Sequence, residues 1–334
     1  MLKTTAENQF SVHTKSLSEQ SPPSTYREAI SSQNTLIELD AITELFTELG
    51  DILKLSRLDT CRTNAYFVRD KLTNLVKVVS TSCHVKFCPY CAKARSFSIK
   101  KNTASWLKSA EHPKFITLTL KHSELDLSEQ FERLYSCFKD LRRLKLWKSK
   151  IVGAIWFFEV KFNDKNEWHP HLHIVADGKY LSQRQLSKEW ERLTTDSPVV
   201  DIRSVKDPKK VSDYVAKYAT KPCQLNRLKM PQRIELYKSL QKRRLCGTVG
   251  TAFKMKLTAK PDFDKANFEK IGAWSTVIGL MGFHDYADKI YFSYQTKLPI
   301  DPEISCTDID YFIIGKKPIE LSLEKSFIKE KALW

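Results

Sequence analysis

Short apolar segments in the middle of this chain predict β-strands. FITLTL (115–120) is rich in β-branched residues, and 151–162 (IVGAIWFFEVKF) and 168–176 (WHPHLHIVA) flank the turn-like sequence NDKNE. PVVDIRS predicts another short strand, and a further hairpin fits over 65–79. Because strands are joined by a hairpin, the pattern favours an α+β fold with a central antiparallel sheet and flanking helices over a parallel α/β repeat.

Other segments repeat their apolar residues at helical spacing. The pattern predicts one or two helices over 35–58 and a single long amphipathic helix over 127–147. It also predicts shorter helices over 182–194 and 209–220. We find no internal repeat.

We expect five consecutive regions along the chain. The first is assigned as a flexible tail because it is polar and has few large apolar residues. In order, they are the tail (1–34), a helical segment (35–60), a cysteine-rich zinc-binding module (61–101), the α+β domain (102–225) and a basic C-terminal region that completes or extends that domain (226–334).

Positive charge is concentrated in one stretch of the sequence. The formal net charge is +16, and residues 203–260 hold 16 lysines and arginines against 3 acidic residues, a local excess of +13. Such a cluster favours a polyanionic partner, with nucleic acid as the first candidate. A solvated basic surface is the alternative.

The sequence predicts a soluble, cytoplasmic protein. It opens on no signal peptide, and no apolar run approaches the ~18 residues needed to span a membrane. Thiols stay reduced in that compartment, so the 8 cysteines are expected to be metal ligands or buried residues rather than disulfides.

Three of the 8 histidines lie at alternate positions in the strand sequence HPHLHIV. Side chains of a strand alternate between its two faces, so His169, His171 and His173 share one face. Leu172 and Ile174 share the other. We expect the apolar face to meet the core and the histidine face to form a site.

A carboxylate is predicted to join the histidines. If the hairpin is centred near Lys165, Glu159 lies directly opposite His171, where a carboxylate and two imidazoles can converge on one divalent cation. A pairing shifted by one residue would turn Glu159 to the other face. The alternative is that these histidines are surface or hydrogen-bonded core residues.

The segment YVAKYATK (214–221) carries a second set of reactive groups. On a helix, Tyr214 and Tyr218 lie on one face and Lys217 and Lys221 form a neighbouring basic pair. Core packing is the ordinary role of such a tyrosine pair. Here a phenol could instead attack a phosphodiester that a bound cation polarises. A free phenol has a pKa near ~10, so the cation and Lys217 would have to compensate for its weak nucleophilicity.

Upstream, cysteines are spaced as metal ligands. Cys83, Cys88 and Cys91 form C-x4-C-x2-C, whose CxxC suits a tetrahedral zinc. Cys61 is the best candidate for the fourth ligand and His84 is the alternative. Buried free thiols remain possible, and a redox CxxC is less favoured because no thioredoxin-like βαβ pattern surrounds it. Basic residues near the cluster are expected to present positive charge to a phosphate backbone; they are Lys86, Lys93, Arg95, Lys100 and Lys101.

The sequence KRRLCGTVGTAFK (242–254) joins a basic run to two glycines. The glycines could let the backbone approach DNA closely, or they could serve a strand turn. We expect four cations in this part of the chain to contact DNA: Lys221, Lys242, Arg243 and Arg244. The aromatic residues of 274–294 are expected to build a small core, and the alternative is that some of them stack on unpaired bases. No phosphate-binding GxxxxGK[ST] loop occurs, so we expect no helicase fused to this chain.

FITLTL, WHPHLHIVAD and SDYVAKYATK, in that order, resemble the three motifs of the HUH endonucleases, and specifically the rolling-circle replication initiators of small plasmids and single-stranded DNA phages. The resemblance covers residues 114–222. It implies that His171 and His173 are ligands of Mg²⁺ or Mn²⁺ and that Tyr218 attacks the scissile phosphate. It further implies a covalent 5′-phosphotyrosine and a free 3′-OH that a host DNA polymerase extends.

The resemblance leaves some roles open. Many plasmid initiators have a glutamate at the position of Tyr214, whereas a tyrosine here is similar to the two-tyrosine A proteins of the phages and implies strand transfer between two nucleophiles. Tyr214 could instead merely pack. His169 could replace Glu159 as the third ligand or lie at the rim. The expected partners are single- and double-stranded origin DNA, a host helicase that separates the strands and a host DNA polymerase, and the oligomeric state is open. Transposases and mobilisation relaxases share these motifs, and a zinc-containing DNA-binding protein without catalysis is the alternative of another class.

Overall fold

The computed structural model describes residues 23–123, 125–164, 167–220, 223–253, 255–259 and 265–302. Contacts divide the chain into two compact units that are discontinuous in sequence. The larger unit comprises 32–61 and 82–265. The smaller unit comprises 62–81 with the described parts of 1–31 and 266–334. The cysteine-rich segment predicted as one module is therefore divided, because its hairpin belongs to the smaller unit.

The helices and strands largely follow the periodicity of the sequence. In chain order they are α1 (Tyr26–Ile30), α2 (Gln33–Glu48), α3 (Ile52–Asp59), β1 (Ala65–Asp70), β2 (Val76–Ser80), α4 (Pro89–Leu107), β3 (Lys114–Thr119), α5 (Leu127–Leu141), α6 (Lys145–Lys150), β4 (Ile151–Asn163), β5 (Glu167–Gly178), α7 (Gln183–Thr194), β6 (Val200–Ser204), α8 (Pro208–Thr220), α9 (Met230–Leu240), β7 (Cys246–Gly250), β8 (Phe268–Ala273), α10 (Trp274–Gly279) and α11 (Asp285–Thr296). Helix α1 lies within the segment predicted as a tail; residues 1–22 of that segment lie outside the described residues.

The larger unit is built on a five-stranded sheet in the order β6-β3-β5-β4-β7. Every neighbouring pair is antiparallel. The predicted α+β fold with a central antiparallel sheet and flanking helices is therefore confirmed. Strands β4 and β5 form its longest hairpin and occupy central positions.

Helices cover both faces of this sheet. On one face, Ile155, Phe157 and Val175 share a core with residues of α4 and α8. On the other, Phe158 packs edge to face against Phe131 of α5, with ring centroids 5.2 Å apart. The face that carries the histidines is thus covered by helices as well as the apolar face. The nearly continuous apolar run of β4 is typical of a strand buried on both sides.

The predicted single helix over 127–147 is two helices. Helix α5 ends at Leu141, and a turn at Arg142 and Arg143 precedes α6. The turn allows Trp147 to fold back on Phe138, where their rings meet edge to face with centroids 5.8 Å apart. The helical spacing of apolar residues continues across this break and therefore does not reveal it. The break depends on the burial of Trp147, which requires a contact across the turn.

The smaller unit contains a three-stranded antiparallel sheet in the order β2-β1-β8. The predicted hairpin over 65–79 is its β1–β2 pair. Trp274 is buried and stacks on Phe67 with ring centroids 5.1 Å apart. Tyr291 and Tyr294 pack against the same core, whereas Phe283 is exposed. The aromatic residues near the C-terminus therefore serve mainly as core.

Candidate active site and metal centre

The candidate metal ligands lie on the two central strands of the larger unit. Glu159 of β4 pairs with His171 of β5, which is the register expected for a hairpin centred near Lys165. His173 lies two residues further along β5 and therefore on the same face. Its Nε2 is 2.8 Å from the Oε2 of Glu159, so the imidazole and the carboxylate are in hydrogen-bond contact.

Burial separates this cluster from bulk water. Glu159, His171 and His173 are 6%, 8% and 5% exposed. Burial, assisted by the charges of His169 and Lys161, lowers the pKa of His171 to about 3, so its ring is neutral at physiological pH. The Nδ1 of His171 is buried and has no hydrogen-bond partner among the described residues. A neutral imidazole with a buried, unpaired nitrogen is suited to ligate a cation.

The contact between Glu159 and His173 has the spacing of two neighbouring metal ligands. Mg²⁺ binds its ligands octahedrally at ~2.1 Å, so two adjacent ligands lie about 3 Å apart. The 2.8 Å between Glu159 and His173 matches that spacing. The hydroxyl of Thr117 is 3.1 Å from the Nδ1 of His173 and orients the ring from its other side. His171, His173 and Glu159 are therefore the candidate ligands on this face, but among the described residues only a group of four cysteines brings three or more ligand atoms within 4.8 Å of one another.

His169 has a different environment from the other two histidines. Its ring centroid lies 4.3 Å from that of His171. Its Nε2, however, is 2.9 Å from the carbonyl oxygen of Leu120, to which it donates when that nitrogen is protonated. The geometry brings Glu159, and not His169, into contact with His173. Of the two third ligands that the sequence leaves open, Glu159 is the better placed.

Helix α8 carries the tyrosine segment onto the histidine face. The carboxylate of Asp207 accepts hydrogen bonds from two backbone N–H groups of the first turn, and Pro208 begins the helix. Val215 and Ala216 are buried in the core shared with the sheet. This packing fixes the helix face that is turned toward β4 and β5.

Tyr214 is the tyrosine whose ring is described, and it lies against His173. The two rings meet edge to face, with centroids 5.5 Å apart and an interplanar angle of 88°. The same ring contacts Phe115 and Phe157, with centroid distances of 5.3 Å and 6.1 Å. Tyr214 is 36% exposed, so it packs and is still reachable from outside.

The rest of the tyrosine segment is described in part. The backbone of Tyr218 continues α8 one turn beyond Tyr214. The side chain of Tyr218 and the whole of Lys221 lie outside the described residues. Lys217 is exposed and borders the same cavity as Glu159. The approach of the Tyr218 hydroxyl to the histidines stays a prediction.

Two cavities open beside the cluster. One, of about 470 Å³, is lined in part by His173 and Tyr214. The other, of about 570 Å³, is lined by the carboxylates of Glu38 and Glu159 together with the cations of Lys161, Lys217 and Arg227. Clefts of this size beside buried polar groups suit a bound substrate, and the cations favour an anionic one.

A second candidate metal centre consists of four buried cysteines, whose sulfur atoms all lie within 4.8 Å of one another. Cys61 is 3.6 Å from Cys88 and 3.7 Å from Cys91, and Cys83 is 3.5 Å from Cys91, measured between Sγ atoms. A tetrahedral zinc with Zn–S bonds near 2.3 Å holds its sulfurs ~3.8 Å apart, whereas a disulfide needs ~2.05 Å. The group could therefore hold a metal such as zinc.

Different elements supply the four cysteines. Cys61 follows α3, Cys88 is the N-cap of α4 and Cys91 lies in the first turn of that helix. The prediction of Cys61 as the fourth member is confirmed. The alternative, His84, is not part of the group.

Two basic residues near the cysteines bind backbone carbonyls. The ammonium group of Lys86 donates to the carbonyls of Leu240 and Arg243, just after α9 ends, and burial lowers the pKa of Lys86. Arg95 donates to the carbonyl of Lys86 at 2.6 Å. These two side chains stabilise the larger unit and are not displayed toward a partner.

The basic run 242–244 is divided between two roles. The guanidinium of Arg243 is 2.7 Å from a carboxylate oxygen of Glu132 and donates to the hydroxyl of Ser128 at 3.0 Å. Its charge is thus satisfied inside the protein. Lys242 and Arg244, on either side, are exposed and remain candidates for DNA contact.

Packing explains the glycines that follow this run. A Cβ at Gly247 would lie 2.5 Å from the ring of Trp156. Gly250 has a φ of +60°, and a Cβ there would lie 2.1 Å from the carbonyl oxygen of Val152. Both glycines allow β7 to approach β4, so close approach to DNA is not needed to explain them.

Sequence reasoning missed Thr117 and Phe115. Both lie on β3, where Thr117 pairs with His173 and Phe115 pairs with Val175. The available signal was the alternation of FITLTL, which places residues 115, 117 and 119 on one face. The pairing of β3 with the histidine strand is a long-range contact. The alternation alone therefore could not show that these residues lie beside the histidines.

The sequence matches a known protein family. The family model of the Rep_1 replication proteins matches residues 75–274. The chain belongs to this family. The matched span contains the histidine strand, α8 and three of the four cysteines, whereas Cys61 precedes it. Membership supports a DNA-binding plasmid replication initiator, as the motifs indicate. Comparisons with curated proteins and with solved structures found no match. Within the described ranges, no helix is long and apolar enough to cross a membrane.

Proposed function

We propose that this replication protein initiates rolling-circle replication of a plasmid by nicking one strand at the origin. It acts as a metal-dependent, site-specific endonuclease and strand transferase. The observation that carries the proposal is the buried cluster of His171, His173 and Glu159, which faces the tyrosine helix α8. The cluster lies inside the span matched by the replication protein family.

The proposed reaction is a transesterification. The phenolic oxygen of Tyr218 attacks the scissile phosphorus, and the phenolic proton passes to water. The P–O3′ bond breaks, and the departing 3′ oxygen takes up a proton to become a free 3′-OH. A divalent cation held by His171, His173 and Glu159 would polarise the non-bridging phosphoryl oxygens. The ammonium group of Lys217 adds positive charge beside the attacked phosphate.

Tyr214 is proposed as the second nucleophile. Its edge-on contact with His173 and its 36% exposure support a place beside the reacting phosphate. One tyrosine would hold the 5′ end while the other cuts the regenerated origin, and attack by the free 3′-OH would reseal the strand. The contacts of Tyr214 with Phe115 and Phe157 give it a packing role as well.

The proposed partners follow from the reaction. The protein binds single- and double-stranded origin DNA, a host helicase separates the strands, and a host DNA polymerase extends the 3′-OH. A transposase or a mobilisation relaxase would use the same chemistry. The match to replication proteins favours the initiator over both.

A covalent adduct tests the proposal. The full-length protein is incubated with single-stranded DNA tiled across the sequence that flanks its gene, together with Mg²⁺ or Mn²⁺. We expect one DNA segment to give a protein–DNA adduct that survives denaturation and that EDTA prevents. The absence of any adduct, despite salt-sensitive DNA binding, would favour the non-catalytic DNA-binding protein.

Two single variants assign the tyrosines. Tyr218→Phe should abolish the first adduct, whereas Tyr214→Phe should still nick but fail to transfer the strand to a second origin. Loss of all nicking in Tyr214→Phe with none in Tyr218→Phe would reverse the assignment.

A further inference from the structure

A large cavity of the larger unit lies along the edge strand β7. Its volume is about 920 Å³, and we call it the β7 groove. Its walls are β7 itself, the described residues of 253–259 and the side chains of Tyr135, Arg142 and Trp156. None of these residues belongs to the candidate active site described above.

Aromatic rings form part of the groove wall. Tyr135 and Trp156 meet edge to face with ring centroids 5.9 Å apart, and Trp156 is buried as the floor. Tyr135 and Phe253 are 39% and 66% exposed. Exposed rings in a cleft can stack on unpaired bases, because every base presents a π-face.

The charged residues described in the groove lining are all positive. Its lining includes Arg142, Arg244 and Lys256 and, among the described residues, no carboxylate. The Nε of Arg142 is buried and lacks a hydrogen-bond partner among the described residues. Burial lowers the pKa of Arg142, which reflects the cost of keeping that charge away from water. An anion in the groove would offset this cost.

The aromatic side of the groove, formed by Tyr135 and Trp156, lies on the other face of the sheet from the histidines, whereas Cys246, Met255 and Leu257 of its lining pack against the core on the histidine face. Neighbouring residues of β4 show this, because side chains alternate along a strand. Phe157 contacts His173, with ring centroids 5.4 Å apart, whereas Trp156 contacts Tyr135 in the groove.

We propose that the β7 groove binds single-stranded DNA, with unpaired bases stacked on Tyr135 and Phe253 and phosphates paired with Arg142, Arg244 and Lys256. The groove thus provides a second DNA contact, separate from the nicking site. This proposal rests on the proposed function, which supplies unpaired DNA at the origin. Single strands are favoured over duplex because stacking on a ring requires an unpaired base.

Binding in the absence of catalysis tests the groove. The full-length protein is titrated with a fluorescent single-stranded oligonucleotide in EDTA, so that no nicking occurs. We expect the double variant Tyr135→Ala/Phe253→Ala to lose at least about 30-fold in affinity, because each of the two lost rings contributes a stacking value of ~1–3 kcal/mol per base. We expect Arg244→Gln to reduce the slope of log affinity against log salt by about 0.7. Photocrosslinking of an oligonucleotide carrying 5-iodouracil should label the peptides that contain Tyr135 or Phe253.

Matched controls lie elsewhere on the larger unit. Tyr180→Ala removes an aromatic ring that is 81% exposed, and Arg184→Gln removes an exposed charge on α7. Both should leave affinity and salt slope unchanged. Circular dichroism checks that every variant is folded.

The outcomes separate this proposal from the nickase. Three results would overturn the groove proposal while the nickase proposal stands. They are unchanged binding in the groove variants, crosslinks confined to the histidine face, and a loss of duplex binding in those variants equal to their loss of single-strand binding. A wild-type protein that crosslinks through the groove but never forms a covalent adduct would overturn the nickase proposal and leave the groove intact.

Discussion

Two clusters of potential metal ligands lie in the same unit, and they differ in completeness. The cysteine cluster offers four buried thiols whose measured sulfur separations, 3.5–3.7 Å, are close to those around a tetrahedral zinc. The histidine cluster offers His171, His173 and Glu159, and cavities open beside it. A structural metal site is closed by protein ligands, whereas a catalytic one keeps positions for substrate or water.

The two clusters also depend differently on the fold around them. The cysteines come from loops and helix ends, which lack the backbone pairing of a strand within a sheet. The histidine strand β5 is held by backbone pairing to β3 and β4 and by apolar residues on both faces. We therefore expect metal loss to unfold structure at the first site and to remove only chemistry at the second.

The largest effect is expected from Cys88→Ser. Loss of one thiolate opens the tetrahedral site, and zinc binding is coupled to folding, so we expect at least about 5 kcal/mol of destabilisation and loss of bound zinc. Zinc content by mass spectrometry and denaturant unfolding measure both. Cys137→Ser is the matched control, since Cys137 is buried outside the cluster and bonds to the carbonyl of Leu193. Equal zinc content in Cys88→Ser and the wild type would contradict a structural zinc site.

The second-largest effect is expected on catalysis rather than on stability. His171→Ala should lower adduct formation by at least about 10³-fold, with less than about 2 kcal/mol lost from the free energy of unfolding. The strand keeps its pairing, and only a ligand is removed. His169→Ala is the control, because its Nε2 contacts the carbonyl of Leu120. Should His169→Ala lose as much activity as His171→Ala while Glu159→Gln loses little, the third ligand would be His169.

These two predictions rest on features that the sequence itself could indicate. Strand alternation and the length of the β4–β5 hairpin were enough to pair Glu159 with His171. The C-x4-C-x2-C spacing, with Cys61 upstream, was enough to assemble the cysteine cluster. The strand pairing follows from local periodicity, and the cysteine cluster follows from a residue type that takes part in few kinds of chemistry.

Long-range contacts could not be anticipated in the same way. Phe67 lies between Cys61 and Cys83 in sequence but pairs with Gly272 of β8, which divides the predicted cysteine-rich module between two units. Arg243 belongs to a basic run, yet Glu132 of α5 neutralises it. Local patterns of charge and hydropathy contain no information about such distant partners.

Thr117→Val tests a smaller effect at the open site. The Thr117 hydroxyl contacts the Nδ1 of His173 at 3.1 Å and orients a ring that the backbone alone does not fix. Loss of such an outer contact typically weakens metal binding by roughly 10- to 100-fold. We expect the Mn²⁺ concentration for half-maximal adduct formation to rise by that factor, with the maximal yield recovered at high Mn²⁺. Thr119→Val, on the same strand, removes a hydroxyl bonded to the carbonyl of Val199 and should leave the midpoint unchanged.

Ser82→Ala is the corresponding change at the closed site, and its effect should be the smallest. The Ser82 hydroxyl lies 3.1 Å from the Sγ of Cys91, a separation equal to that between Thr117 and His173. Four thiolates already fix the position of a zinc ion, so only one hydrogen bond is lost, at a cost of about 1 kcal/mol. Zinc content should stay at the wild-type value while the free energy of unfolding falls slightly, and Ser149→Ala, an exposed hydroxyl on α6, provides the baseline. If Ser82→Ala instead released the zinc, the four sulfurs would not suffice to define the site, and the contrast between a closed and an open metal centre would fail.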